Sequence, residues 1–420
     1  MDPFLFRNNN LYCEDVALAD IAAEYGTPCY VYSKSFLLSR CQAYLQALAG
    51  YKHLVCYSVK AASNIYLLKI IAEQGLGCDI VSGGELFRAK LAGVPGRKIV
   101  YSGVGKSAAE IRSALEYNIL FFNVESEDEL LLINETAAEM GLIAPVTLRV
   151  NPDVDPLTHP YISTGLKENK FGIPIVDAER IYLQAFNDCK NIKFVGVDCH
   201  IGSQLIKLSP FKDTAFRVRA LIENLLSHGL QLDYVDFGGG LGIDYDGEDV
   251  PEVNQLVDIF TEVLEGLDLT IVLEPGRSMV GNSAVMLTKI QYLKNSSEKK
   301  FAIVDAGMND LLRPSLYNAF QKIEKIDISQ HSASDPFSQY DIVGPICESG
   351  DFLAKERAFP ELYKDDVLAV MGAGAYGFSM SSNYNSRPRP VELLVDGSSV
   401  TVIRERESYE DLVRGEKLGR

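Results

Sequence analysis

A lysine stands at the end of an apolar run, Cys56-Tyr57-Ser58-Val59-Lys60-Ala61-Ala62-Ser63-Asn64. Lysine is seldom buried without a partner or a task. At the carboxyl end of a parallel strand, its amine could bond covalently to an aldehyde cofactor. The alternative is a lysine that simply meets solvent where its strand stops. Other apolar runs end on residues that can also do chemistry. One ends in Asp79 and the turn Ser82-Gly83-Gly84-Glu85, and another runs into Arg149-Val150-Asn151-Pro152. The remaining ones lead to His200-Ile201-Gly202-Ser203, Gly238-Gly239-Gly240-Leu241-Gly242 and Glu274-Pro275-Gly276-Arg277.

A glycine run such as 238–242 presents backbone N–H groups to a small anion. Alone it reads equally as a plain turn, but Gly276-Arg277 on the next run favours a phosphate site. Glu274 is either a solvated carboxylate at a strand end or a carboxylate that keeps a ring nitrogen protonated. His200 is either a core histidine or an imidazole lying flat against a planar cofactor. A lysine, an anion cradle, a carboxylate and a flat imidazole together suit pyridoxal 5'-phosphate. The lysine takes its aldehyde, the cradle its phosphate, and the carboxylate sustains its electron sink.

These residues can meet only if a scaffold gathers the ends of the runs. The apolar runs cover 53–59, 77–81, 98–102, 120–124, 146–150, 193–199, 232–237 and 269–274. Helical patterns lie between most of them, at 85–92, 108–117, 127–141, 177–186, 215–228 and 253–264. Runs this apolar fit strands covered on both faces, as in parallel sheets. Eight strand–helix units over this length predict an α/β chain built on a (β/α)8 TIM-like barrel, whose catalytic residues sit at the carboxyl ends of the strands. A doubly wound sheet is the competing arrangement.

After Glu274 the pattern changes. Strand-like runs at 285–293, 301–306, 339–343, 367–370, 391–395 and 400–404, with a polar hairpin tip at 294–299, predict a second, mostly antiparallel β-barrel or sandwich domain. The expected domains are 35–283 for the barrel, and 1–34 with 284–420 for the β domain. An early strand at 28–32 joins that β domain, and Ser33 or Ser35 caps a helix over 36–48.

Composition narrows the function. The 420-residue chain, 47% hydrophobic, is large enough for two domains. Its formal net charge of -17 repels nucleic acid and anionic membranes. No apolar run is long enough to span a bilayer. Met1-Asp2-Pro3-Phe4 lacks the basic-then-apolar order of a signal peptide, so a cytoplasmic location is expected. The eight cysteines form no Cys-x-x-Cys pair and sit largely in apolar runs, which points to reduced thiols. The five histidines show no metal-ligand spacing, so no metal is expected.

The motifs, taken together and in order, resemble one family. They are Tyr57-Ser58-Val59-Lys60-Ala61, Asp79-Ile80-Val81-Ser82-Gly83-Gly84-Glu85, Asn151-Pro152-Asp153-Val154-Asp155, His159-Pro160-Tyr161-Ile162-Ser163-Thr164-Gly165 and Asn169-Lys170-Phe171-Gly172. They continue with Cys199-His200-Ile201-Gly202-Ser203-Gln204, the glycine run, Glu274-Pro275-Gly276-Arg277, Gly344-Pro345-Ile346-Cys347-Glu348-Ser349-Gly350-Asp351 and Gly374-Ala375-Tyr376-Gly377. The chain is similar to the diaminopimelate decarboxylases, in the alanine-racemase-like fold group of pyridoxal phosphate enzymes. It departs at Ala62, where that family often carries asparagine.

The resemblance implies decarboxylation of meso-2,6-diaminopimelate to L-lysine and CO2, the last step of lysine biosynthesis. A related basic amino acid or a carboxylated polyamine is the alternative substrate. Lys60 would bond the cofactor, His200 would stack on its ring and Glu274 would pair with its ring nitrogen. Asp79, Ser203, Gly239, Gly240, Gly276, Arg277 and Tyr376 would complete its site. Arg277, Arg313 and Tyr317 would take substrate carboxylates, Glu348 the distal ammonium, and Tyr376 would also bind substrate. Cys347 would return a proton to the α-carbon. A homodimer is implied, with Cys347 and Glu348 supplied across the interface. The long polar stretch 159–169 is the expected lid.

Overall fold

The computed structural model describes residues 3–155, 170–296, 299–329 and 336–419. The expected lid at 159–169 lies outside them, as do positions 297 and 298 of the hairpin tip. Two compact units are present. The barrel unit comprises 40–243 and 249–279, and the β unit comprises 1–39, 244–248 and 280–420.

Eight parallel strands close the barrel: β1 (His53–Ser58), β2 (Gly77–Ile80), β3 (Ile99–Tyr101), β4 (Phe121–Val124), β5 (Ala144–Asn151), β6 (Ile192–Asp198), β7 (Tyr234–Asp236) and β8 (Thr270–Leu273). Each pairs with the next in sequence, and β8 pairs with β1 to complete the ring. The doubly wound alternative is thereby replaced by closure. β2, β3 and β4 are buried along their whole length, as continuous apolar runs require when helices cover one face and the barrel interior the other.

Serines at the strand–helix turns start the outer helices. Ser82 caps Gly83–Leu91, Ser107 caps Ala108–Glu116 in a reciprocal capping box with Glu110, and Ser126 caps Glu127–Glu139. Each such cap stabilises its helix by about 1 kcal/mol and fixes where the turn at the rim ends. Helix Val253–Val263 docks through Phe260, which stacks on Phe237 just beyond β7 with ring centroids 4.1 Å apart.

The β unit is built around Ala284–Asn295, which pairs antiparallel with Cys29–Ser33, Lys300–Val304 and Val367–Val370. Val391–Asp396 runs parallel to Cys29–Ser33 and antiparallel to Ser399–Arg404. The early strand therefore joins this sheet as expected, and Ser33 accepts from the amide of Phe36 at the start of the following helix. The first residues are more regular than their mixed composition suggests. Phe4–Arg7, Asn10–Cys13 and Val16–Ala17 form a small antiparallel sheet. Leu11, Leu18, Val31, Val285 and Leu393 share one core there. Phe352–Phe359 is a strand outside the expected set. Its Ala, Lys, Glu and Arg lack strand propensity, and pairing with Ser338–Val343 supplies the order instead.

Candidate active site

Lys60 lies two residues past the end of β1, in a single 3-10 turn at Val59–Ala61. Its Nζ is 3.0 Å from Oδ2 of the fully buried Asp79, which pairs with Ser58 in the β1–β2 register. Ser58 Oγ donates to the same Asp79 oxygen at 2.8 Å and approaches the backbone oxygen of Glu274 at 3.1 Å. The β8 turn is pressed against this one. A Cβ on Gly276 would stand 3.1 Å from that of Ser58 and 3.2 Å from that of Ala61. Lysine, aspartate and glutamate thus meet through short links, although 214 residues separate Lys60 from Glu274 in the chain.

The glycine run folds into the next sector of the rim. Gly238 and Gly240 have φ of +61° and +109°, which favour glycine. A Cβ on Gly239 would stand 2.3 Å from the Glu274 carbonyl, so backbone approaches backbone where no side chain fits. Gly239 N–H lies 3.1 Å from His200 Nδ1. Arg277 is buried, and its Nε and Nη2 both donate to Ser203 Oγ, at 3.2 and 3.0 Å.

Beneath the rim lies a set of buried polar side chains on the barrel interior. Asn123 Nδ2 donates to Glu274 Oε1 at 3.1 Å and stands 3.4 Å from Asp236 Oδ2. Asp236 Oδ1 accepts the N–H of Gly238 at 2.9 Å. Thr147, facing Asn123 in register, occupies the amide oxygen at 2.5 Å, which fixes the amide's orientation. Ser102 Oγ lies 3.3 Å from Glu274 Oε1. Asp198 is the register partner of both Arg149 and Asp236. Arg149 is held by Glu125 at 2.7 Å. Lys106 is also buried and donates to Gly103 O, Asn123 O and Glu129 Oε1 at 2.8, 2.8 and 2.7 Å.

This crowding sets protonation. Burial, and then the neighbouring Asp236, push the Glu274 carboxyl well above its usual range. Burial and Asp198 push Asp236 up as well. Asn123 Nδ2 reaches both carboxyls, and burying the two side by side favours keeping a proton on the pair. Burial, followed by the charges of Arg149 and Lys60, drives His200 well below 6.5, so its imidazole is neutral near pH 7.

Nine of the expected site residues share this rim: Lys60, Asp79, His200, Ser203, Gly239, Gly240, Glu274, Gly276 and Arg277. The arrangement fits pyridoxal phosphate. An amine, a side-chain-free backbone cradle flanked by Arg277 and Ser203, and a proton-holding buried carboxyl answer its aldehyde, phosphate and ring nitrogen. Asp79 Oδ1 and Asp198 Oδ1 are buried without a hydrogen-bond partner. Sequence reasoning missed Asn123, Asp198 and Asp236. Their signal was a polar residue set inside an otherwise apolar strand.

The other expected residues belong to the β unit. Arg313 is buried at the start of the helix Arg313–Tyr317, and Tyr317 is half-buried at its end. Cys347 and Glu348 are exposed on the turn 344–351. Asp351 braces that turn by accepting from the amides of Met308 at 2.6 Å and Ile346 at 2.7 Å. Ser315 Oγ ties it to the Arg313 helix through Gly350 O at 2.7 Å. Asn385 Oδ1 accepts the Cys347 amide at 2.7 Å. Tyr376 has φ +55°, a left-handed conformation costing about 1 kcal/mol. The next residue, Gly377, has no room for a side chain, since a Cβ there would stand 2.3 Å from Ala373 O.

Comparison with known proteins gives a consistent result. The family described as "Pyridoxal-dependent decarboxylase, pyridoxal binding domain" matches residues 35–281. Diaminopimelate decarboxylase of Pseudomonas aeruginosa is 50% identical over 418 residues, covering 100% of this chain and 99% of that protein. The Aquifex aeolicus diaminopimelate decarboxylase is 47% identical, with 98% and 97% covered. Among solved structures, the Helicobacter pylori diaminopimelate decarboxylase complexed with L-lysine superposes with a TM-score of 0.90 at 43% identity, covering 94% of this chain and 98% of that one. The M. jannaschii diaminopimelate decarboxylase in co-complex with L-lysine gives a TM-score of 0.93 at 37% identity, covering 100% and 98%.

Proposed function

The chain belongs to the pyridoxal phosphate-dependent diaminopimelate decarboxylases, and on that premise we propose how its residues divide the work. The reaction removes one carboxyl group from meso-2,6-diaminopimelate to give L-lysine and CO2, the last step of lysine biosynthesis. The cofactor, when bound, supplies the electron sink that accepts the bonding pair as CO2 departs.

The chain supplies placement and protons. Lys60 would hold the aldehyde end of the cofactor, and Asp79 orients the Lys60 ammonium. Gly239, Gly240, Gly276, Ser203 and Arg277 hold the phosphate end with backbone and side-chain donors. His200, kept neutral, would lie against the ring without adding a charge that would oppose protonation of its nitrogen. Glu274 keeps that nitrogen protonated, and Asn123 and Asp236 hold Glu274 in place. Tyr376 would complete the cofactor site.

On the substrate, Arg277, Arg313 and Tyr317 receive carboxylates, Glu348 receives the distal ammonium, and Tyr376 also contributes to binding. A planar guanidinium at Arg313 suits a bidentate carboxylate pair. Cys347 donates its proton to the α-carbon after CO2 leaves. The active form is a homodimer in which Cys347 and Glu348 serve the partner's barrel, and the enzyme works in the cytoplasm. Exposure of Cys347 on a braced turn, with the other seven cysteines buried and free, supports both statements.

The observation that carries this reading is the link from Lys60 through Asp79 and Ser58 to Glu274. The test is direct. Purified protein with pyridoxal phosphate should show an absorbance band near the visible edge and form lysine and CO2 from meso-diaminopimelate. Lys60→Ala should lose both. CO2 release from ornithine, lysine or a carboxylated polyamine, with none from diaminopimelate, would move the assignment to the alternative substrates.

A further inference from the structure

Arg313 is buried, yet a guanidinium that selects a carboxylate must present one fixed plane. Two side chains outside the expected site settle that plane. The Arg313 guanidinium carbon lies 4.5 Å from the ring centroid of Tyr245, a cation–π stack. Gln321, itself fully buried, has its amide best oriented to accept from Arg313 Nη1 at 3.2 Å and to donate to Met371 O at 3.3 Å.

Tyr245 is in turn held. Gly372, φ +62°, leaves room for its ring, since a Cβ there would stand 3.1 Å from Cε1 and 3.2 Å from Cδ1 of Tyr245. The segment carrying Tyr245 is locked by Asp244, whose Oδ1 accepts the amides of Asp246, Gly247 and Glu248 at 2.9, 2.6 and 2.9 Å. Asn282 Nδ2 approaches the Asp244 carbonyl at 3.4 Å. Met371 and Gly372 are adjacent, so one short stretch backs both halves of the clamp. A stacked face on one side and an amide oxygen at one edge leave Arg313 little rotational freedom. A free arginine loses rotamer freedom when it grips a ligand, and a clamped one has lost it already.

We propose that Tyr245 and Gln321 are positioning residues that pre-set the Arg313 guanidinium for the distal carboxylate of the substrate, making Tyr245 a determinant of substrate affinity. The proposal rests on the substrate role given to Arg313 above. It predicts a defect in binding and not in chemistry, because the distal carboxylate is unchanged when the other one is lost.

The experiment uses the cofactor-loaded enzyme. Tyr245→Leu should raise KM for meso-diaminopimelate about tenfold, the loss of one desolvated cation–π stack, with kcat within about twofold of the parent. Tyr245→Phe, which keeps the aromatic face, should restore most of the affinity. Gln321→Leu should raise KM by a smaller factor and provides a second reading if Tyr245→Leu folds poorly. L-lysine retains the distal carboxylate, so its dissociation constant, followed by the cofactor absorbance, should rise in parallel. A fall in kcat at unchanged KM, equal effects of Leu and Phe at 245, or unaltered L-lysine binding in the variants would overturn the proposal. A parent enzyme that neither turns over meso-diaminopimelate nor binds L-lysine would instead remove the functional reading beneath it, and the proposal with it.

Discussion

Oε1 of Glu274 stands 3.1 Å from the side-chain nitrogen of Asn123, whose own oxygen is taken by Thr147. An amide fixed at both ends can only donate toward Glu274, so it stabilises an acceptor there. Asn123→Asp would place a third carboxyl beside Glu274 and Asp236. We expect a cost of about 1–3 kcal/mol from the lost bond and the added repulsion. Thermal unfolding should show a melting point lower by several degrees, and cofactor titration a weaker complex. Unchanged values in both would mean that the amide is dispensable.

The protonated carboxyl pair makes a pH prediction. Burial, and then Asp198, raise the folded-state affinity of Asp236 for its proton above that of an ordinary aspartate, 3.8. The unfolded chain therefore releases a proton that the folded chain keeps. Stability from this group is complete below the unfolded value and is lost as pH rises through the folded one. Melting points of cofactor-free protein at about pH 5 and about pH 8 should differ less in Asp236→Asn than in the parent. An identical pH slope in the two proteins would contradict the assignment.

Of eight cysteines, Cys347 alone is exposed. A thiol reagent should titrate one group per chain rapidly in native protein and eight after unfolding. Substrate should slow the rapid phase. Cys347→Ala should lower kcat by about 10²-fold or more, the range for loss of a positioned acid, with KM changed little. Fast modification that leaves turnover intact would exclude Cys347 as the proton donor.

Arg313→Ala should reduce kcat/KM for meso-diaminopimelate by about 10³-fold, the scale of a lost charge-assisted bidentate pair. Any turnover of ornithine, which has no distal carboxylate, should fall far less. Equal losses on the two substrates would place Arg313 outside the specificity machinery.

The sequence was legible where apolar runs and their terminal residues coincide. Lys60, His200 and Glu274 could be placed at one rim because each ends such a run, and strand closure then put them together. Asn123 and Asp236 were not legible as site residues. Each interrupts an apolar run, and a reading by hydropathy treats the interruption as noise. Their importance comes from closure itself, which sets Asn123 beside carboxyls 113 and 151 positions away. Tyr245 was hidden for a different reason. It follows the glycine run in sequence, yet segment 244–248 belongs to the β unit. No local pattern announces such a change of allegiance. Phe352–Phe359 was missed because pairing outweighs propensity in strands.

Lys106 and Lys60 both follow barrel strands at the rim, and an incoming aldehyde must discriminate between their amines. Carbonyl addition needs a nitrogen lone pair, hence an amine that can surrender a proton. Lys106 is surrounded by three acceptors, including the Glu129 carboxylate, and each holds one of its N–H bonds. Lys60 reaches solvent with about a third of its side chain and has a carboxylate at hand. Regioselectivity is thus written into the solvation of the competing amines before any ligand arrives, and a hydride quench of the loaded protein should leave its covalent label on a single lysine.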